Sequence, residues 1–162
     1  MEHILFKIQY PAEFHAQTAV EAAIKLHESV ASKLEIIDKI VIRTQEPAIR
    51  IISKVGKLAN AADRDHCIQY MVAVGLIFGD LIAEYYEDDF HQENQLIDKL
   101  RDKMIIEEDN QFSMDYLDPE KRSIANAVQV FFNDGTCSDD IQIEYPIGPV
   151  SYTHLRAHET GY

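Results

Sequence analysis

This sequence predicts an α+β domain with a mostly antiparallel sheet, a buried central helix and flanking helices. Three observations lead there. Residues 67–78 contain a single strongly polar side chain, Gln69, and carry apolar groups at both helical phases, the pattern of a helix covered on all sides. Asn133, Asp134, Gly135 and Thr136 stand between two alternating stretches, 125–132 and 138–145, and Asp-Gly is a strong hairpin signal. The other strand and helix patterns do not alternate as they would around a parallel sheet.

In chain order, residues 3–8 have the composition of a strand, and Pro11 ends it because proline lacks the ladder donor. Ala16, Val20, Ala23, Leu26 and Val30 repeat at helical spacing and predict an amphipathic helix over 13–31. Residues 36–44 read as a strand with Ile40 and Ile42 on one face and Val41 and Arg43 on the other. Pro47 opens a short helical turn over 48–53, and the chain passes Gly56 into a long central helix over 61–82. Its apolar run is too short to span a bilayer. Residues 83–90 read as an acidic helix, and Leu96, Ile97, Leu100 and Met104 mark another. A brief strand at 105–109 and a loop over 110–121 follow. In the hairpin, a two-residue tip at Asp134-Gly135 places Phe132 opposite Cys137, Val128 opposite Ile141 and Asn126 opposite Ile143. Val128, Val130, Phe132, Ile141, Ile143 and Tyr145 then share one face, whereas a one-residue slip would mix the faces.

The 162 residues suffice for one domain with a sizeable core. A formal charge of −13 argues against nucleic acid and anionic membrane as partners. The charge is uneven: residues 43–66 hold five Lys/Arg against three acids, and residues 80–118 hold thirteen acids against three bases. A local cationic segment of this kind suits a small polyanion, while the acidic stretch reads as a solvated face. Cys67 and Cys137 form no metal or redox spacing and read as free thiols in a reducing compartment. There is no signal peptide, and the abrupt start at Met1 reads like the middle of a longer protein. Residues 1–148 read as one domain. The tail 149–162 carries His154 and His158 without a third ligand or apolar periodicity, and reads as a non-native junction rather than a metal site.

At the start of the central helix, Asn60, Asp63 and Asp65 are ordinary capping residues. Arg64 is not, since a cation there opposes the helix dipole. Arg64 and His66 are therefore candidate carboxylate ligands, set against the plainer reading in which Arg64 pairs with a local Asp and His66 is a satisfied polar residue.

The stretches 4–23 (Ile4-Leu-Phe-Lys-Ile-Gln-Tyr-Pro onward), 44–52 (Thr44-Gln-Glu-Pro-Ala-Ile-Arg), 62–70 (Ala62-Asp-Arg-Asp-His-Cys-Ile-Gln-Tyr), 118–127 and 144–148 carry a resemblance. Over residues 3–148 the sequence resembles the C-terminal part of the MmgE/PrpD family, on its 2-methylcitrate dehydratase side. The resemblance implies a small α+β lid domain that closes a cleft against a helical N-terminal domain absent from this chain. It also implies elimination of water from 2-methylcitrate to 2-methyl-aconitate in propionate breakdown, without a metal or other cofactor. Two cysteines agree with that, since an iron–sulphur cluster wants three or four thiolates.

Such chemistry needs cations for the carboxylates and an acid and a base for the leaving hydroxyl and the carbon-bound proton. Superfamily decarboxylases carry a Lys shortly before an aromatic-Pro pair, and Lys7 before Tyr10-Pro11 matches it one residue out of register. A His six residues after the Pro is replaced here by Gln17, with His15 nearby. The implied site is Lys7 and His66 as catalytic groups, with Lys7, Arg64 and His15 binding substrate. For Lys7 the alternative is an edge-strand guard. The implied partners are a tricarboxylate and the helical domain, with a homodimer left open and a cytoplasmic setting. Two rival readings are a cis-aconitate decarboxylase-like enzyme, distinguished by CO2 release, and a non-catalytic acidic interaction domain, which would ignore tricarboxylates.

Overall fold

The structure, a computed structural model, describes residues 9–148. The expected strand over 3–8, with Lys7, and the tail 149–162 lie outside the described residues. A 3-10 turn, Phe14–Ala16, leads into α1 (Gln17–Val30). Then come β1 (Ile37–Thr44), α2 (Glu46–Ile52), α3 (Ala61–Asp65) and α4 (Ile68–Phe78). The acidic half holds α5 (Asp88–Glu93), α6 (Leu96–Arg101), β2 (Met104–Glu108) and α7 (Asn110–Leu117). The chain closes with β3 (Asn126–Phe132) and β4 (Ile141–Ile143). Among the described residues no helix is long and apolar enough to cross a membrane.

The four strands lie in the order β2-β1-β3-β4. β1 pairs antiparallel with β3, and β3 antiparallel with β4, but β2 runs parallel to β1 on the edge. The α+β class holds, with a sheet that is mixed rather than purely antiparallel. The parallel pair is possible because α2 through α6 supply the long crossover that a parallel connection demands.

α1 was expected to be amphipathic, and its stripe of Ala16, Val20, Ala23, Leu26 and Val30 is indeed buried. Its first half, however, is covered on every side: Gln17, Thr18 and Glu21 are buried too. The reason is that α1 lies between two partners, with β3 and β4 on one side and α4 on the other. Gly75 permits the close helix crossing, since a Cβ there would sit 3.0 Å from the Cβ of Ala23.

The central helix is a correction. Instead of one helix over 61–82, the chain breaks at His66 and Cys67. The Asn60 side chain accepts from the Asp63 amide at 2.9 Å and caps α3, as expected. Cys67 is extended (φ −131°, ψ 103°) and starts α4 afresh. The break separates the charged run from the apolar one, so that Ile68 through Leu76 are buried without drawing Asp63 and Asp65 into the core. Gly79 at φ 68° ends α4 in the left-handed conformation, with the His27 ring packed where a side chain would be.

Two more differences have local causes. Residues 110–117, expected as loop, form α7, because Asp109 turns from strand end to cap and accepts from the Gln111 and Phe112 amides. In the hairpin, Val128 faces Ile141 and Asn126 faces Ile143 as expected, but Cys137 faces Phe131 rather than Phe132. The tip is a three-residue loop in which Gly135 (φ 84°) donates to the Phe132 carbonyl at 3.0 Å. Its one-residue shift is undone at Ser138, whose hydroxyl accepts from the Val130 amide at 2.9 Å in place of a backbone partner.

Candidate active site

The start of α1 is the most heavily fastened polar segment of the domain. Thr18 Oγ1 donates to the Ile124 carbonyl at 2.6 Å. Asn126 Nδ2, at the first residue of β3, donates to the His15 carbonyl at 2.8 Å and to Thr18 Oγ1 at 2.7 Å. Gln17 Nε2 holds the incoming chain through the carbonyls of Tyr10 and Ala12, at 2.9 and 2.6 Å. These bonds fix His15, which is 9% exposed, between two side chains. Glu13 accepts from the His15 amide at 2.8 Å with one oxygen and meets Nδ1 at 2.9 Å with the other. Nε2 meets the Tyr116 hydroxyl of α7 at 3.1 Å, with the rings 5.6 Å apart. Glu13 accepts the Nδ1 proton, which leaves Nε2 to the phenol.

A second pair stands at the end of α3. His66 is half-exposed and lies 3.3 Å from the Asp65 carboxylate. It is close enough to Glu13 that the two charges act on each other. The two carboxyls are driven apart. Burial pushes Glu13 up, but the hydrogen bonds and charge of His15, with the charge of His66, outweigh it and hold Glu13 below the usual carboxylate range. Burial raises Asp65 and the neighbouring Glu13 raises it further, against the lowering charge of His66. One carboxyl stays ionised while its neighbour holds its proton more readily, the arrangement on which paired acid–base roles rest.

Arg64 points elsewhere. It sits in the last turn of α3 rather than at the start of the central helix, so the argument from an opposed dipole does not apply to it. Its side chain is 2% exposed. Nε donates to the Tyr86 carbonyl at 2.7 Å, Nη2 pairs with Asp88, and Nη1 donates to His91 Nδ1 at 3.3 Å. His91 passes Nε2–H to Asp98 at 2.9 Å, and Asp98 also pairs with Arg101. This network lines a cavity of about 400 Å³ between α3, α5 and α6.

Of the four residues singled out from sequence, then, His15 is held by Glu13, His66 acts on Glu13 only through its charge, Arg64 is engaged by Asp88, Tyr86 and His91, and Lys7 lies outside the described residues. Glu13, Asp65 and Tyr116 were not foreseen as members. Asp65 was read as a cap, and Tyr116 fell in a stretch read as loop. Glu13, two residues before His15 at a helix start, was the one detectable signal. Cys67 is buried and Cys137 exposed, both as free thiols. Among the described residues no group of three His, Cys, Asp or Glu could hold a metal ion.

The profile of the MmgE/PrpD C-terminal domain matches residues 10–157, running past Gly148 into the segment read as a junction. The chain is 54% identical to the 2-methylcitrate dehydratase of Escherichia coli K12, over 99% of this chain and 33% of that protein. It is 56% identical to the Salmonella typhimurium protein of the same name, over 91% and 31%. It is 53% identical to the mitochondrial 2-methylcitrate dehydratase of Yarrowia lipolytica, over 99% and 30%. The chain thus spans about a third of the length of these relatives. On the match over residues 10–157, the chain belongs to the MmgE/PrpD family, as its C-terminal domain.

Proposed function

We propose that this chain is the C-terminal, lid-like domain of a 2-methylcitrate dehydratase, and that it acts only with the helical N-terminal portion its relatives' extra length provides. The observation that carries the reading is 53–56% identity to dehydratases so named in two bacteria and a yeast, across at least 91% of the chain. The reaction removes a carbon-bound proton and a hydroxyl beside carboxylates, so it needs cations and an acid–base set. In this reading Lys7 holds a substrate carboxylate and stabilises the charge that develops on it, and His66 moves a proton at its exposed ring; His15, expected as a substrate ligand, has both ring nitrogens engaged by Glu13 and Tyr116 and shapes the site instead. Glu13 keeps His15 in one orientation. Arg64, whose guanidinium is already engaged by Asp88, Tyr86 and His91, shapes the neighbouring wall instead of binding substrate. A tricarboxylate ligand, a bacterial cytoplasmic setting and assembly as a homodimer belong to the same proposal.

The test joins this chain to the N-terminal two-thirds of such an enzyme and follows the absorbance of the new double bond with 2-methylcitrate, chelator present. Turnover that survives the chelator supports the reading. A folded protein without turnover removes it.

A further inference from the structure

Where α3 gives way to α4, two neighbouring side chains meet that a continuous helix would hold apart. Residues i and i+1 of a helix do not face each other. His66 leaves the helical conformation (φ −101°, ψ 33°) as the C-cap of α3, and its Nδ1 comes to 3.3 Å from the Asp65 carboxylate. The backbone there is pinned: the His66 amide donates to the Ala62 carbonyl at 3.1 Å and the Cys67 amide to the Arg64 carbonyl at 3.2 Å. Neither side chain has another hydrogen bond or ion pair among the described residues, so the half-exposed ring keeps Nε2 without a partner.

For the fold, this placement of Asp65 is a liability. Asp65 is the last residue of α3, where a carboxylate meets the carbonyl end of the helix instead of the amide end. Burial and the Glu13 charge both disfavour its ionised form, and the charge of His66 is the one opposing influence. Asp65 from α3 and Glu13 from the turn before α1 are the charged groups that act with His66. A carboxylate kept against such costs, beside a half-exposed imidazole, is placed for that imidazole.

We propose that Asp65 is a positioning residue for His66: its carboxylate takes the Nδ1–H and fixes the tautomer in which bare Nε2 accepts the carbon-bound proton of the hydroxy acid. The inference rests on the dehydratase reading and extends it. The C–H electron pair becomes the new π bond, and the C–O bond breaks with its pair on oxygen. That oxygen leaves as water with a proton from solvent, and the imidazolium returns its own extra proton to solvent. While the ring is charged, the carboxylates of Asp65 and Glu13 attract it from two elements.

The experiment uses the complete enzyme, with 2-methylcitrate for kinetics and nitrogen-15 spectra of the neutral imidazole to read the His66 tautomer. Asp65→Asn keeps the shape but loses the charge, and its amide can also donate to Nδ1 and favour the wrong tautomer. It should lower kcat about a hundredfold, the low end of what a general base contributes, with KM within twofold and a melting temperature above the parent's. Asp65→Glu should regain at least tenfold of that loss. In a His66→Ala background, Asp65→Asn should change kcat by less than twofold, because its effect passes through the ring. Parent spectra should show the Nδ1–H form, lost in Asp65→Asn. A kcat within threefold of the parent in Asp65→Asn, a full further loss in the His66→Ala background, or a fall in kcat matched by a lower melting temperature overturns the proposal. So does a parent His66 protonated on Nε2. A folded parent that leaves 2-methylcitrate intact removes the dehydratase reading instead, and the tautomer spectra then still judge whether Asp65 sets the ring.

Discussion

Two polar clusters flank the α1–α4 pair, and they differ in one respect. Around Arg64 the cation–carboxylate pairs are closed, guanidinium to Asp88 and His91, His91 to Asp98, and Asp98 to Arg101, although Arg101 Nε and the Tyr86 hydroxyl have no hydrogen-bond partner among the described residues. Around His15 the ring is gripped on both sides, yet the neighbourhood keeps an unpaired Ser123 hydroxyl, an unpaired Asn126 carbonyl oxygen and an Arg122 without a carboxylate. The first arrangement fastens α3 to the acidic segment. Both clusters keep buried polar groups without a partner; the second differs in holding its histidine between a carboxylate and a phenol, with no arginine paired to a carboxylate. The larger cavity belongs to the Arg64 cluster.

The comparison can be broken most directly through activity. His66 is half-exposed with one carboxylate neighbour, so His66→Ala should leave the melting temperature within about 2 °C. In the complete enzyme it should lower kcat about a hundredfold. Unchanged kinetics would remove His66 from the site. Arg64→Met should behave in the opposite way. Losing a buried cation that bridges a carbonyl, a carboxylate and an imidazole should cost about 3 kcal/mol. That lowers the melting temperature by about 8 °C, with turnover near normal at temperatures where the variant is folded. A catalytic loss without a melting change would instead restore Arg64 as a carboxylate ligand. Asn126→Ala sharpens the contrast further: it strips the His15 carbonyl and Thr18 hydroxyl of a shared buried donor and should cost about 2 kcal/mol.

The smallest effects are in pH dependence, and their signs differ. Glu13 is held low in the folded state, so its ionisation adds stability above the unfolded carboxylate range, lost as pH falls through the folded value. Glu13→Gln should therefore lower the melting temperature at neutral pH, with the gap closing in acid. Asp65 is held high, so its contribution is fully present below the unfolded range and lost as pH rises through the folded value. Asp65→Asn should raise the melting temperature at neutral pH, again with the gap closing in acid. Melting curves from pH 7 to pH 3 decide both, and equal signs would contradict the split.

Much of the fold was legible in the chain because it is written in short-range patterns. The apolar repeat of α1, the alternation of β1 and the faces of β3 and β4 each follow from side chains a few residues apart. Where the reading failed, the deciding contact was distant or ambiguous. Nothing near Cys67 resembles a helix breaker, and the break there follows from burying α4 between α1 and α6. α7 leaves Met114 and Leu117 exposed, so it shows little apolar periodicity, and Asp109 reads equally well as strand end or cap. Asn133-Asp134-Gly135 suits a two- or a three-residue loop. The site was legible only in part for the same reason. His15 and His66 could be picked as residue types, but Tyr116 joins His15 across 101 positions of sequence, and no local pattern announces that.

The most direct test of the contrast is a titration of the complete enzyme with citrate, watching the imidazole resonances of the chain's seven histidines. The account predicts that His15 and His66 shift with ligand and His91 stays put. Movement of His91 with His15 and His66 unmoved would place the ligand in the Arg64 cavity and reverse the roles of the two clusters.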